Sequence, residues 1–283
     1  MEIKKVLVAG AGQMGNGIAQ VTALAGFHVV MTDIADEFVQ KGMVAIRKNL
    51  DRAVDKGRLA AEARDAALAR ISTGLSYEAG EDADLFIEAA PEIPELKKQV
   101  FEQAVAVLRE DAIIATNTSS LSVTQLANVA GCPDRFVGIH FFNPTPAMAL
   151  VEVVKGLLTS EATAAAAKAF VERLGKTPVM VNDSPGFVVN RILFPMINEA
   201  VYTLMEGVST AADIDAAMKA GANHPMGPLA LADLIGLDTT LAVLEVLQRD
   251  IGDPKYRPCP LLRRYVAAGR LGRKSGAGFF TYA

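Results

Sequence analysis

The sequence predicts an α/β protein in which a doubly wound, mainly parallel sheet is followed by an all-helical region. Three observations carry this prediction. A glycine-rich turn joins the first β-like run to a helical pattern, short apolar runs then alternate with helical patterns, and beyond Ser184 only helical periodicity follows. Pro185-Gly186 marks the change. We therefore expect one domain over residues 1–183 and a second over residues 184–283.

The first element is the stretch 6–33, in which Gly10, Gly12 and Gly15 form G-x-G-x-x-G between a β-like run and a helical pattern. This order is the dinucleotide-binding fingerprint in its required context. The glycines allow a tight turn, close approach of the backbone to a pyrophosphate, and close packing of the helix on the strand. The cofactor-binding residues predicted in this turn are Gly10, Gly12, Gln13, Met14 and Gly15.

The second strand of this unit ends on Asp33, 18 residues after Gly15. A carboxylate at that position accepts a hydrogen bond from an adenosine ribose and repels a 2′-phosphate. The sequence therefore predicts a Rossmann-type domain that binds NAD rather than NADP.

The same stretch imitates a signal peptide or a membrane span, because it has no charged residue between Val6 and Thr32. Its glycines and the amides of Gln13, Asn16 and Gln20 make it a poor span. Cleavage after Ala25 would discard the first strand and the phosphate turn. We therefore expect no membrane association.

Composition narrows the remaining function classes. The chain has 283 residues, of which 51% are hydrophobic, and a formal net charge of −4. Such a charge gives no general attraction to nucleic acid. Cys132 and Cys259 lie far apart in sequence and form no metal-type spacing. We expect a reducing, cytoplasmic location and no metal site.

The segment 35–69 has a helical pattern with a turn at Lys56-Gly57. Asn49, Arg52 and Lys56 share one face of this helix and are suited to a phosphate-bearing ligand. The alternative, which composition alone favours, is a solvated face whose acids pair with neighbouring arginines. The residues of that alternative are Asp51, Asp55, Arg47 and Arg52.

Polar side chains follow the ends of the later strands. The predicted strands are 71–73, 83–89, 112–116, 135–142, 149–154 and 178–181. In such sheets ligands bind beyond the carboxyl ends of strands, where Glu92, Lys97 and Asn117 to Ser120 are expected. Helix caps and a surface ion pair are the alternative interpretation of these residues.

His140 ends one apolar run, and Glu152 lies inside the next one. A glutamate in an apolar strand is costly to bury unless it is paired. If the two strands are neighbours, Glu152 can bind one imidazole nitrogen and leave the other for proton transfer. The residues alone leave a structural histidine and an edge glutamate equally open. His28, in a strand, is expected to be structural, and His224, in a turn, has no obvious acid beside it.

Four spaced motifs and the C-terminal run resemble the L-3-hydroxyacyl-CoA dehydrogenase family over nearly the whole chain. They are N-T-S-S-L-S (117–122), G-I-H-F-F-N-P (138–144), V-E-V-V (151–154), D-S-P-G-F-V-V-N-R (183–191) and G-R-K-S-G-A-G-F-F (272–280). The resemblance implies an NAD-dependent oxidoreductase that interconverts 3-hydroxyacyl-CoA and 3-ketoacyl-CoA, with a helical second domain that pairs two subunits.

The resemblance also implies roles for individual residues. His140 is the expected acid/base and Glu152 the carboxylate that orients it. Ser119 is expected to bind the reacting oxygen, and Asn190 to orient the substrate. Expected cofactor contacts are Glu92, Lys97, Asn117 and Lys274. The resemblance implies a coenzyme A contact at Lys56. Asn49 and Arg52 share the helix face of Lys56, so we expect all three residues to bind the substrate.

Two other functions fit parts of the pattern. A dehydrogenase of a free hydroxy or sugar acid would keep the fingerprint and His140 but would not need the basic helix face. A non-catalytic NAD-binding protein would keep the fold without turnover, and the intact set of Ser119, His140, Glu152 and Asn190 argues against it.

Overall fold

The computed structural model describes residues 2–282, and the chain divides into two compact units between Ser184 and Pro185. Strands and helices mostly alternate in the first unit. The strands are β1 (Lys5–Ala9), β2 (His28–Thr32), β3 (Ile71–Gly74), β4 (Leu85–Glu88), β5 (Ile113–Thr116), β6 (Phe136–Phe141), β7 (Leu150–Lys155) and β8 (Thr177–Asn182). The helices are α1 (Gln13–Leu24), α2 (Asp36–Asp55), α3 (Ala61–Ala69), α4 (Pro94–Val107), α5 (Val123–Ala130) and α6 (Glu161–Arg173).

Within residues 2–282 the strands form one eight-stranded sheet in the order β3-β2-β1-β4-β5-β6-β7-β8. Neighbouring strands are parallel except β6 and β7, which are antiparallel. The exception follows from the connection, because residues 142–149 contain no helix to carry the chain back across the sheet. The prediction of a doubly wound, mainly parallel sheet is confirmed.

The central strands are buried along their length. Every residue of β4, β5 and β6 is buried, as expected where helices cover both faces of a parallel sheet. The predicted break near Lys56-Gly57 is also confirmed: α2 ends at Asp55, Lys56 caps it, and Gly57 has a positive φ of 64°.

The second unit is helical, with its own apolar core. Its helices are α7 (Val189–Met205), α8 (Ala211–Gly221), α9 (Pro228–Ile235), α10 (Leu237–Ile251) and α11 (Pro260–Ala267). Leu229, Leu237 and Leu244 are fully buried at the centre of this core. In the part of this unit that the structure describes, β structure is limited to isolated bridges, so the all-helical prediction is confirmed.

Candidate active site and cofactor cleft

The glycine turn between β1 and α1 is tightly packed at Gly10 and Gly15 and open at Gly12. A Cβ at Gly15 would lie 1.8 Å from the Gly10 carbonyl oxygen, and one at Gly10 would lie 2.8 Å from the Ala89 carbonyl oxygen. By contrast, a Cβ at Gly12 would meet nothing within 4 Å. Gly12 is also the N-cap of α1, so the open side faces a helix N-terminus that favours an anion.

A cleft of about 910 Å³ lies beside this turn in the first unit. The predicted cofactor residues that line it are Gly10, Gly12, Gln13, Met14 and Asp33. Gly15 instead lies against the turn, as its close contact with Gly10 requires. Tyr77 also lines the cleft, and burial raises its pKa to about 12, so the phenol is neutral near pH 7.

Asp33 is anchored to the glycine turn. One carboxylate oxygen accepts from the Ala11 backbone N–H at 2.7 Å, and the other accepts from the Ile34 N–H at 2.7 Å. Each oxygen keeps a second lone pair, which suits a ribose hydroxyl as donor. The open side of Gly12, the helix N-terminus and this carboxylate together fit the diphosphate and ribose of NAD.

His140 and Glu152 form a buried pair across the sheet. They face each other in the antiparallel register of β6 and β7, and His140 Nδ1 lies 2.8 Å from Glu152 Oε2. Both side chains are buried, at 6% and 1% exposure. The condition set by the sequence, that the two strands are neighbours, is met, and the interpretation of Glu152 as an edge glutamate is wrong.

The turn that carries Ser119 is held by Glu92. One Glu92 oxygen accepts from the Thr118 hydroxyl at 2.5 Å and from the backbone N–H groups of Ser119 and Ser120 at 2.8 and 2.9 Å. Burial raises the pKa of the Glu92 carboxyl, but the Lys97 ammonium and these hydrogen bonds more than offset it, so the pKa lies below its ordinary value. Glu92 is therefore an ionised acceptor near pH 7.

The position of Lys97 rules out the surface-pair interpretation and identifies Glu88 as a site residue that the sequence analysis missed. Its side chain is only 1% exposed, and its ammonium lies 2.6 Å from Glu88 and 3.2 Å from Glu92, so it is not part of a surface pair. Glu88, which ends β4 and is fully buried, was not predicted as a site residue. Its acidic character at the end of an apolar strand is the signal that could have identified it.

Asn117 joins two strand ends. Its side-chain oxygen accepts from the Phe141 backbone N–H at 2.8 Å, one residue after His140, and its own N–H donates to the Glu88 carbonyl. Capping falls instead to Ser122, which accepts from the Gln125 N–H at the start of α5. The cap interpretation is therefore wrong for Asn117, and the residue that caps α5 is Ser122, outside the predicted segment 117–120.

Asn190 and Lys274 belong to the second unit. Asn190 lies in the first turn of α7, and the exposed Lys274 ammonium donates to Asp238 at 2.6 Å. Their roles toward substrate and cofactor remain predictions.

The proposed coenzyme A face is exposed at Asn49, Arg52 and Lys56. The solvated-face alternative predicted that Asp51 pairs with a neighbouring arginine of the same helix. This pairing is wrong, because Asp51 binds Arg64 of α3 at 3.1 Å. Among the described residues neither Arg52 nor Lys56 forms an ion pair. Both cations are therefore available to an anionic ligand.

The described chain also bears on membranes and metals. Across residues 2–282, no helix combines the length and apolar character needed to cross a bilayer. The same residues contain no group of three His, Cys, Asp or Glu side chains arranged to hold a metal ion.

Comparison with known proteins covers both units. Residues 5–184 match the family described as 3-hydroxyacyl-CoA dehydrogenase, NAD binding domain, and residues 186–282 match 3-hydroxyacyl-CoA dehydrogenase, C-terminal domain. The chain is 54% identical over 280 residues to 3-hydroxybutyryl-CoA dehydrogenase of Bradyrhizobium diazoefficiens, with 99% of this chain and 96% of that protein covered. It is 52% identical to the probable 3-hydroxybutyryl-CoA dehydrogenase of Bacillus subtilis, with coverage of 100% and 98%.

A solved structure agrees. The crystal structure of (S)-3-hydroxybutyryl-CoA dehydrogenase from Ralstonia eutropha superimposes with a TM-score of 0.98 at 53% identity, with each chain covered completely. The two family matches and these full-length relatives show that the chain belongs to the 3-hydroxyacyl-CoA dehydrogenase family.

Proposed function

We propose that the chain interconverts (S)-3-hydroxybutyryl-CoA and acetoacetyl-CoA with NAD as the redox partner. The observation that carries this proposal is the buried His140–Glu152 pair in a unit that also holds the dinucleotide cleft. The names of the relatives support the short acyl chain and the S configuration.

The cofactor would lie along the glycine turn. Gly10, Gly12, Gln13 and Met14 would border its diphosphate, and Asp33 would accept from its adenosine ribose. When bound, NAD supplies the hydride acceptor for C3 of the substrate. Glu92 and Asn117 are proposed cofactor contacts, and Lys274 is a proposed basic residue near the cofactor. The buried Lys97, whose ammonium already binds Glu88, Glu92 and the Ala90 carbonyl, would act by holding the adjoining backbone.

His140 acts as the general base toward the 3-hydroxyl. Glu152 fixes the ring through Nδ1, which directs Nε2 to proton transfer, and stabilises the imidazolium that results. Ser119 and Asn190 are proposed to hold the reacting oxygen. Reduction of the 3-keto group reverses these steps, with His140 returning the proton.

Coenzyme A would be held at its nucleotide end by Asn49, Arg52 and Lys56. The exposed, unpaired cations of this face suit phosphate groups that are remote from the reacting carbon. Asn49 contributes an uncharged amide that can hydrogen-bond a phosphate or the adenine.

The wider organisation is also a proposal. Residues 1–183 would form the NAD-binding domain and residues 184–283 the substrate and dimerisation domain. Exposed apolar side chains in the second unit, Ile192 and Val208 among them, support a homodimer. The paucity of cysteine supports a cytoplasmic location. Sedimentation equilibrium tests the dimer.

The decisive assay follows NADH oxidation with acetoacetyl-CoA, with free acetoacetate as the matched substrate and NADPH as the matched cofactor. Turnover that requires both the thioester and NADH is expected. Equal turnover of the free acid would favour a hydroxy-acid dehydrogenase, and NADH binding without turnover of either substrate would favour a non-catalytic protein.

A further inference from the structure

Glu88 occupies the end of β4 with no exposed surface, yet its carboxylate receives three donors. One oxygen accepts from Lys97 Nζ and from the Ala90 backbone N–H, both at 2.6 Å, and the other accepts from the Thr116 hydroxyl at 2.6 Å. A buried charge is tolerated only with such compensation. We infer that Glu88 is a positioning residue, which fixes the turn carrying Ser119 through two arms, one at Lys97 and one at Thr116.

The first arm runs through charge. Lys97 bridges Glu88 to Glu92, and Glu92 in turn accepts the backbone N–H groups of Ser119 and Ser120. Lys97 also donates to the Ala90 carbonyl at 3.2 Å. Glu88 and Lys97 therefore bind the backbone N–H and the carbonyl of Ala90, which lines the cofactor cleft. Loss of the Glu88 charge would leave Glu92 as the only carboxylate that binds Lys97 and would change where Glu92 holds the turn.

The second arm runs through a hydroxyl. Thr116 has one hydroxyl hydrogen, and donating it to Glu88 turns the oxygen's lone pairs toward the Thr118 N–H, which lies 3.2 Å away. The turn is thus held at Thr118 by this arm and at Ser119 and Ser120 by the other.

The same turn is tied to the strand of the catalytic histidine. Asn117 donates its N–H to the Glu88 carbonyl at 2.8 Å and accepts from the Phe141 N–H, next to His140. A shift at Glu88 would therefore reach both Ser119 and His140. This consequence for turnover rests on the proposed function, whereas the effect on the turn itself does not.

The test compares Glu88→Gln, Lys97→Met and the double variant with wild type. Lys98→Met is the matched control, because Lys98 neighbours Lys97 on α4 but its side chain is 49% exposed. The first readout is hydrogen exchange of the Ser119 and Ser120 amides without ligands, well below the melting temperature. We expect about 10-fold faster exchange in Glu88→Gln and none of this change in Lys98→Met.

The second readout is kinetic. For acetoacetyl-CoA we expect kcat to fall about 10-fold to 100-fold in Glu88→Gln with KM changed by less than about 3-fold, because misplacement of the reacting groups costs rate rather than binding. The double variant should lose no more than the worse single variant, since Glu88 and Lys97 form one ion pair in the first arm.

Wild-type exchange at Ser119 and Ser120 in a folded Glu88→Gln protein would overturn the inference, and a lowered melting temperature alone would then mark Glu88 as structural. If Glu88→Gln does not fold, Thr116→Val removes the second arm without changing charge. It should speed exchange at Thr118 about 3-fold or more, and unchanged exchange would again overturn the inference. A wild type inactive on acetoacetyl-CoA would refute the proposed function but leave the exchange test decisive.

Discussion

His140 and Glu152 are directly opposed residues of an antiparallel strand pair, with 2.8 Å between imidazole Nδ1 and carboxylate Oε2. Because both lie on neighbouring interior strands, the ring orientation is set by the sheet rather than by a loop. A buried carboxylate at Nδ1 favours the tautomer with its proton on that nitrogen and stabilises the charged ring after proton uptake at Nε2.

Replacement of His140 by Gln should lower kcat about 10²-fold to 10⁴-fold, because a general acid/base is lost. The affinity for NADH should stay within about 3-fold of wild type, since this side chain does not line the cofactor cleft. Glu152→Gln should also slow turnover by weakening support of the imidazolium. His28→Gln, an exposed position at the start of β2, is the control and should behave as wild type. Near wild-type kcat in His140→Gln would remove His140 from the mechanism.

Preference for NADH over NADPH should depend on the charge of Asp33. Asp33→Ala should narrow the preference, but it also removes the acceptor of the Ala11 N–H. Asp33→Asn is the sharper variant, because its amide oxygen can keep that hydrogen bond while the repulsion of a 2′-phosphate disappears. Ratios of kcat/KM for the two cofactors measure the effect. A wild type that uses NADPH as well as NADH, or an unchanged ratio in Asp33→Asn, would contradict it.

Alanine at Gly12 and at Gly15 should separate binding from folding. Gly15→Ala places a methyl group 1.8 Å from the Gly10 carbonyl oxygen and should destabilise the protein by about 3 kcal/mol or more, because backbone must move. Gly12→Ala has open space and should cost at most about 1 kcal/mol, chiefly as a poorer N-cap. It should nevertheless weaken NADH binding about 10-fold or more by obstructing the diphosphate. Thermal melting and NADH fluorescence titration measure the two effects. Equal NADH affinity in Gly12→Ala would place the diphosphate elsewhere.

Sequence patterns were sufficient where the determining information is local or periodic. The glycine spacing and the acid at Asp33 define the cofactor turn. His140 and Glu152 lie in consecutive apolar strands, so their pairing requires only that these two strands are neighbours in the sheet. Consecutive strands joined without a helix tend to pair antiparallel, and that tendency brought the two residues face to face.

Patterns failed where a charged partner is chosen by how two elements pack, even when those elements follow each other in the chain. Lys97 and Lys98 are adjacent in α4, and their types do not reveal that only Lys97 faces a buried acid on β4. The same holds for Asp51, whose partner Arg64 lies beyond the turn that folds α3 against α2. Which charge is buried is decided by packing and not by spacing.

Stability should fall at acid pH partly through Glu92. Its pKa in the folded protein lies below the ordinary value, so its contribution is complete above the unfolded carboxyl pKa of about 4.3 and is lost as pH falls through the lower folded pKa. The difference in unfolding free energy between wild type and Glu92→Gln should therefore shrink between about pH 5 and pH 3. Denaturant melts across this range measure it, with the exposed Glu95→Gln as control. A pH-independent difference would show that ionisation of Glu92 does not stabilise the turn.

The exposed face at Lys56 should hold coenzyme A through charge. Lys56→Ala should raise KM for acetoacetyl-CoA about 3-fold to 30-fold with little change in kcat, as expected for loss of roughly 0.7 to 2 kcal/mol in a partly exposed charge-assisted contact. Lys41→Ala is the matched control, since Lys41 is an exposed lysine of α2, the helix that Lys56 caps, and already pairs with Glu37. It changes net charge equally and should leave KM near wild type.

Salt and a truncated substrate complete this test. Added salt should raise KM of the wild type more than KM of Lys56→Ala, because screening acts on a contact that the variant lacks. A thioester without the nucleotide portion should be nearly indifferent to the substitution, since the lost contact lies far from the reacting carbon. If Lys56→Ala leaves KM and its salt dependence unchanged, the helix face is solvated and coenzyme A is bound elsewhere on the protein.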